Sequence, residues 1–428
     1  MKTVLRIGIM FVLSVVLCLC YGAAAFAEDV AINETNFPDV AFREYVAMFD
    51  KDINGILSDE ERASVQIMSL GSKGIASLEG IKFFTGLKHL YCYSNQLTSL
   101  DISCNTALIT LYCSSNQLSS LDISHNTSLT NLNCGSNRLS NLDVNRNTSL
   151  TNLSCYSNRL TSLDISRNTS LTNLSCYDNQ LITLDVSNQK FLTSLHCNFN
   201  QLAYLDVSGN TSLTTLNCYS NYLTSLDISS NFSLRELNCN SNQLTSLDVS
   251  HNMSLSSLIC WGNQLTRLNI GKCSGLNTLQ CFGNKISVLD ISYCPDLLWM
   301  VDNLEPEISY GPVRYSIGGD SLAYDRDVTL ITTHGPDLIL ASSLTAIDSE
   351  AFNGGAFTYV LVPAGVTEIG SGAFAGCPNL RYAEICGTQT LINDTAFDGV
   401  TDLTIIAPTG SKAETWAAQH SVNFQPAA

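Results

Sequence analysis

The chain has 428 residues, 45% of them hydrophobic, with 38 acidic against 21 basic residues and a net charge of −17. This length accommodates two or three ordinary domains or one extended repeat array. The acidic balance speaks against nucleic acid and anionic membrane as partners, since neither gains from basic attraction or counterion release.

Residues 1–27 read as a secretory signal. Lys2 and Arg6 form a basic start, an apolar run follows from Ile7 to Cys20, and Ala25-Phe26-Ala27 supplies a small-x-small cleavage site. The run is too short to span a bilayer comfortably. Cys18 and Cys20 each follow a leucine, where a lipoprotein signal wants a small residue. Cleavage after Ala27 leaves 19 basic and 38 acidic residues, a net charge of −19. The expectation is a secreted, extracellular protein that can associate with a cell surface. No later segment is long and apolar enough for a transmembrane helix.

Residues 28–86 read as a small helical cap leading into a first half-repeat. Phe42–Phe49 has helical character, and a second helix is expected over Ser58–Met68, with Ser58 as its cap and Glu61 three residues on. Between them, Asp50 to Glu61 fits the calcium-loop pattern D-x-[DN]-x-[DN]-G-x5-E. Asp50, Asp52 and Asn54 offer side-chain oxygens, Ile56 a backbone carbonyl, Ser58 a direct or water-mediated contact and Glu61 two oxygens. Gly55 allows the sharp turn. Calcium is the expected cofactor, and a metal-free cap that kept the shape is the alternative. The segment resembles an EF-hand without a second loop to pair with.

Residues 87–298 hold ten copies of a 21-residue repeat, beginning at Leu87, Leu108, Leu129, Leu150, Leu171, Leu192, Leu213, Leu234, Leu255 and Leu276. Their template is LxxLxCxxNxLxxLDxSxNxx. A fixed period of this size marks a solenoid. Leu90 and Cys92 alternate with Tyr91 as strand residues do, so leucine and cysteine point inward. Asn95 and its equivalents through Asn284 stand where the chain leaves the strand and can bond backbone groups of neighbouring coils. Asp101 and its equivalents read as turn residues.

Of 17 cysteines, 15 lie beyond the signal and ten form a ladder from Cys92 to Cys281. Side chains in register point the same way into a crowded core, which favours free thiols acting as small hydrophobes. A line of equal spacings offers no tetrahedron for a metal. Cys273 and Cys294 replace the second asparagine of the template in adjacent coils; a disulfide or two thiols are both open there.

The template resembles the cysteine-containing 21-residue repeats of the internalin family, surface proteins of Gram-positive bacteria, and the cap resembles their helical caps. The resemblance covers residues 70 to about 300. It implies a right-handed solenoid with a parallel sheet on the concave face, display outside the cell, and a role in adhesion or host contact. No LPxTG-like cell-wall sorting signal is read near the end, Asn423-Phe424-Gln425-Pro426-Ala427-Ala428.

Residues 299–337, with Pro306, Gly311, Pro312, Gly318 and Gly319, read as a transition with short strands. Residues 338–428 carry a second repeat: Ile347, Ala351 and Phe352 are echoed by Ile369, Ala373 and Phe374 and by Ile392, Ala396 and Phe397. This resembles the BspA-type leucine-rich repeats of bacterial surface antigens. The expected fold class is therefore α/β: a leucine-rich-repeat solenoid, mostly parallel β with an irregular convex side, a helical N-terminal cap and a BspA-type end.

No nucleophile elbow, zinc-protease helix or phosphate-cradling loop occurs. The six histidines, His89, His125, His196, His251, His334 and His420, form no ligand or catalytic spacing. No enzyme is expected. The outward strand positions carry aromatics instead: Tyr91 and Tyr112 in one column, and Tyr93, Tyr156, Tyr177, Tyr219, Trp261 and Phe282 in the next column but one. Such columns suit ligand binding, by protein or glycan. The chain is expected to be a monomer that does not insert into membrane. Two functions remain open: an adhesin-like binding module, or an extracellular scaffold whose only specific ligand is calcium.

Overall fold

The computed structural model describes residues 29–427 apart from 272, 305, 308–311, 327, 332–337 and 356. The expected signal and His334 lie outside the described residues. The chain forms two compact units, one ending at Leu184 and the other beginning at Asp185.

The first unit opens with the cap. Strand β1 (Val30–Ala31) and helix α1 (Val40–Val46) precede the loop, then β2 (Ile56–Leu57) and α2 (Asp59–Ser64) follow it. β1 pairs antiparallel with β2, Val30 opposite Leu57. Asp39 caps α1 by accepting from the Phe42 N–H at 3.0 Å, and its other oxygen accepts from Ala76 N–H at 2.7 Å. One carboxylate thus ends a helix and ties it to the first coil. Phe37, Phe42 and Phe84 are fully buried beneath.

The second helix is shorter than expected. It stops at Ser64, and Ile67–Ser69 forms strand β3. Met68 pairs with Leu90 and is fully buried. The physical reason is tertiary: the first repeat strand exposes its hydrogen-bonding edge and its core, and β3 covers both. The helix expected over Phe42–Phe49 likewise starts two residues earlier and tightens into a 3-10 turn at Ala47–Phe49.

Strands β4 (His89–Tyr91), β5 (Thr110–Tyr112), β6 (Asn131–Asn133), β7 (Asn152–Ser154) and β8 (Asn173–Ser175) then stack in parallel, each residue opposite its equivalent 21 positions on. Leucine and cysteine face inward and are buried. After each cysteine the chain turns through a left-handed residue: Ser94, Ser115, Ser136, Ser157 and Asp178, with φ between 48° and 55°. The template asparagine holds that turn. Asn158 donates to the carbonyls of Cys155 and Cys134, both at 3.1 Å, and accepts from Leu139 N–H at 2.9 Å. It therefore satisfies backbone groups of two successive coils.

The return side has two further devices. Each aspartate accepts from the N–H two residues on, as Asp164 does from Ser166 at 3.0 Å; the aspartates are turn residues, as expected. The second asparagine is fully buried and donates twice, Asn147 to Ile123 and Asn126 carbonyls at 3.0 and 2.9 Å. Its acceptor oxygen has no partner among the described residues. The Asn-Thr-Ser triplets thus keep their asparagines, Asn126, Asn147, Asn168 and Asn210, inside.

The second unit continues the pattern on its own. β9 (Ser194–His196), β10 (Thr215–Asn217) and β11 (Glu236–Asn238) are parallel and in register. Short return strands β12 (Ser246–Asp248), β14 (Arg267–Asn269) and β16 (Val288–Asp290) alternate with β13 (Ser257–Ile259) and β15 (Thr278–Gln280). Cys273 and Cys294 stand in the second asparagine's place and imitate it. The Cys273 thiol donates to Val249 and Asn252 carbonyls at 3.6 and 3.5 Å, and Cys294 to the Cys273 carbonyl at 3.5 Å. A thiol supplies the donor and strands no buried acceptor. All 15 cysteines from Cys92 to Cys386 are free.

The transition segment contains another coil. Helix α3 (Pro295–Asn303) and strand β17 (Val313–Ile317) interrupt it, and β18 (Asp320–Tyr324) adds to β15 in parallel, Leu322 opposite Leu279. β19 (Thr329–Ile331) pairs with β16. Buried Tyr324 follows Leu322 as Cys281 follows Leu279, and ends the ladder. The remaining strands are β20 (Leu338–Ile339), β21 (Ala346–Ile347), β22 (Tyr359–Val362), β23 (Glu368–Ile369), β24 (Tyr382–Ile385), β25 (Leu391–Ile392), β26 (Thr404–Pro408) and β27 (Asn423–Ala427), with helix α4 (Lys412–Gln419) before the last. They form a five-stranded and a three-stranded parallel sheet. Between the sheets Phe352, Phe374 and Phe397 stack at 5.4 and 5.1 Å.

Asn158→Ala strands the Leu139 N–H and halves the donors to the Cys134 and Cys155 carbonyls, which keep Asn137 and Asn179; it is expected to lower stability by about 2 kcal/mol in urea unfolding. Ser157→Gly relieves a left-handed serine against a backbone-entropy cost and should raise it by about 0.5 kcal/mol. Equal midpoints for the two variants would contradict this account of the turn.

The ladder thiols give a pH signature. Burial pushes Cys92, Cys134, Cys239 and Cys281 up to about 12, and Cys113, Cys155, Cys197, Cys218 and Cys260 well above the ordinary thiol range. Unfolded thiols ionise near 8.5 while folded ones stay protonated. The unfolded state then binds fewer protons, so stability is intact below about pH 8.5 and falls as pH rises towards 12. Melting temperature should drop steadily over that window, and thiol reagents should label the ladder only after denaturation. Rapid labelling of any ladder cysteine in the native protein at pH 7.5 would contradict the buried-thiol assignment; the partly exposed Cys386 lies outside the ladder.

Candidate binding face and cation loop

On the sheet face that points away from the core, the repeat places aromatics in groups within each unit. In the first unit Tyr91 and Tyr112 meet edge to face at 5.4 Å. Tyr156 and Tyr177 stack at 4.8 Å with rings 4° from parallel. Tyr93 and Tyr156 lean back over a glycine of the preceding coil. A Cβ at Gly135 would lie 2.5 Å from the Tyr156 ring, and one at Gly71 equally close to the Tyr93 ring. Ser114 and Gly135 occupy this column between Tyr93 and Tyr156, so its aromatics form separate groups.

In the second unit Tyr219 contacts Phe199 at 5.1 Å. Trp261 and Phe282 stack at 5.5 Å, 6° from parallel, and the Arg314 guanidinium lies 5.0 Å from the Phe282 ring. Sequence reasoning missed Phe199 and Arg314. Phe199 occupies the left-handed turn position, φ 52°, where most coils carry serine, and that anomaly was a usable signal. Arg314 comes from the inserted β17, so no period could find it. A third omission is the amide ladder beside the tyrosines, Asn173 to Asn152 at 2.6 Å and Asn152 to Asn131 at 2.7 Å. The strand-face histidines do structural work. His89 bonds Thr110 at 3.1 Å and His196 bonds Asn217 at 2.8 Å, and burial lowers the pKa of His196.

In the cap loop, carboxylate oxygens of Asp50, Asp52 and Glu61 lie within 4.8 Å of one another. Gly55 takes φ 79° and donates its N–H to Asp50 at 2.8 Å. Glu61 accepts from Lys51 N–H at 2.7 Å, Ser58 N–H at 2.9 Å and the Ser58 hydroxyl at 2.8 Å. These bonds hold its carboxyl below the usual carboxylate value, ionised and aimed. Asn54 donates to Asp52 at 2.9 Å. The donor set is hard oxygen throughout, which suits calcium and not a softer metal.

Similarity to known proteins follows the same geometry. The BspA type leucine rich repeat region matches residues 333–414 in 6 copies. A 71-residue stretch is 42% identical to internalin J of Listeria monocytogenes serotype 4b, covering 16% of this chain and 8% of that protein. The solved functional domain of InlJ from Listeria monocytogenes, described as including a cysteine ladder, superposes with a TM-score of 0.60 at 30% identity, over 89% of this chain and 77% of that one. The internalin InlF of Listeria monocytogenes, at 21% identity and a TM-score of 0.50 over 61% of this chain and 91% of that one, shares the fold. Internalin-like leucine-rich-repeat proteins are typically surface-associated binding proteins, and their solenoid is a non-enzymatic scaffold. No helix of the described residues is long and apolar enough to cross a membrane. With its cysteine ladder, its 21-residue register and its BspA-type end, this chain belongs to the internalin J-like family of leucine-rich-repeat proteins.

Proposed function

We propose that the protein is a secreted or surface-associated adhesin-like module that holds a protein or glycan partner on its strand face. The observation that carries this reading is the pair of stacks, Tyr156 with Tyr177 and Trp261 with Phe282. Both are partly exposed, and both are pre-ordered by their own packing. Large rings already fixed lose little side-chain entropy on binding. The net charge of −17 favours a neutral or basic partner. The cap loop takes one calcium ion through Asp50, Asp52, Asn54, Ile56, Ser58 and Glu61, which fixes the start of the array.

A scaffold with calcium as its only ligand is the second reading. It is favoured by the stacks themselves, because rings that cover one another already satisfy much of their apolar surface.

The two readings separate on one variant. Tyr156, Tyr177, Tyr219 and Trp261 changed together to alanine should leave the chain folded by circular dichroism. Capture of host surface and cell-wall components by the mature protein should fall about 100-fold, on the order of 3 kcal/mol. Undiminished capture would remove the strand face from the function.

For the loop, calorimetry should show one calcium per chain, with a raised melting temperature. Asp52→Asn, at an exposed position outside the capping box, should weaken binding at least tenfold without unfolding the cap, and Glu61→Gln should abolish it. Absence of both heat and a thermal shift in the wild type would make the cap a metal-free relic of the loop.

A further inference from the structure

Inside the second unit, return strands β14 and β16 and the outer side of the five-stranded sheet line a cleft of about 420 Å³. That volume is in the range of small-molecule sites. The cleft is separate from the aromatic strand face, which belongs to the opposite columns of the repeat.

The sheet side is a single row. Ile339, Leu361, Glu384, Ile406 and Gln425 are neighbours in register across five strands. Leu361 alternates with buried Val360 and Val362, so the row faces out. It is apolar except at its centre and its end; Ile406 is already buried, Leu361 is half-buried and Ile339 remains 68% exposed. The open end of the row, at Ile339 and Leu361, costs free energy unless something covers it.

The charges lining the cleft are Arg267, Asp290 and Glu384. Glu384 accepts from the Tyr359 hydroxyl at 2.5 Å and is paired with Arg267, so these two charges offset each other. Asp290 is left over. One of its oxygens accepts from Ser292 N–H at 2.9 Å, as the turn requires, and the other has no partner among the described residues. The preceding coil carries Asn269 in the same place, making the same turn bond to Gly271 at 3.1 Å. The turn therefore needs an acceptor there but no charge. Among the described residues, the cleft thus has an apolar floor and one carboxylate with no paired cation.

We propose that this cleft binds an apolar group carrying a single ammonium or guanidinium. The apolar body lies on Ile339 and Leu361, and the cation pairs with Asp290. Two sources share that chemistry: a free aryl- or alkylamine, and a basic residue beside an aromatic one on a peptide.

The test is calorimetry on the full mature chain with phenethylamine, with the dipeptide amide Phe-Arg, and with phenylpropionate as the same body bearing the opposite charge. The expected result is binding of at least one cationic probe, at least tenfold weaker in Asp290→Asn, with an unchanged melting temperature because asparagine keeps the turn. Leu361→Gln should weaken it as well. Phenethylamine alone binding assigns a free amine, and the dipeptide amide alone a peptide. The quadruple aromatic variant of the strand face should bind these probes like the wild type, so failure of that face leaves the cleft assignment standing. No heat with either cation, equal binding of phenylpropionate, or an Asp290→Asn variant that binds as well as wild type overturns it.

Discussion

The asparagine that ends each strand is the interaction on which the structure depends. A parallel coil that turns out of its strand leaves carbonyls pointing into a narrow interior with no water to receive them. Asn116, Asn137, Asn158 and Asn179 in the first unit, and Asn221, Asn242, Asn263 and Asn284 in the second, each donate to the cysteine carbonyls of their own and the preceding coil. One side chain so fixes both turn and spacing. Aspartate in this place would lose the donor, and glutamine would reach too far. Only with that register set do the leucines and cysteines of successive coils pack in columns.

The cysteines follow from the width of the interior. A leucine in the strand and another after the turn already fill most of the coil, so the residue between must be small and apolar. A thiol meets both demands and offers a weak donor. The same property explains the exchange at Cys273 and Cys294, where thiols replace a buried asparagine and bond the same carbonyls. Thus two different cysteine populations arise from one physical rule, and neither needs a disulfide.

Register also makes the surface. Stacking of Tyr156 on Tyr177 and Trp261 on Phe282 requires neighbouring coils to present the same position at strand spacing, about 4.8 Å. Where a coil carries glycine, the ring of the following coil leans into the space, as Tyr156 does over Gly135 and Tyr93 over Gly71. The column is therefore read out in pairs, with small residues acting as seats. Arg314 extends one pair with a cation that gives it a polarity the tyrosine pair lacks.

The sequence by itself determined the repeat, its inward and outward positions, the roles of the asparagines and aspartates, the free state of the ladder thiols, and the loop residues that converge in the cap. All of these follow from period, alternation and local hydrogen bonding, which the order of residues encodes directly. Tertiary structure decided the rest. It ended the second cap helix at Ser64, because an exposed first strand needed Ile67–Ser69 as a neighbour. It turned the apparent transition into a further coil, with Leu322 opposite Leu279 across an inserted helix and hairpin. It brought Arg314 onto Phe282 and Glu384 to Arg267, contacts between residues 32 and 117 positions apart. No periodicity specifies such meetings; they depend on which edges and apolar faces remain uncovered once the local elements have formed.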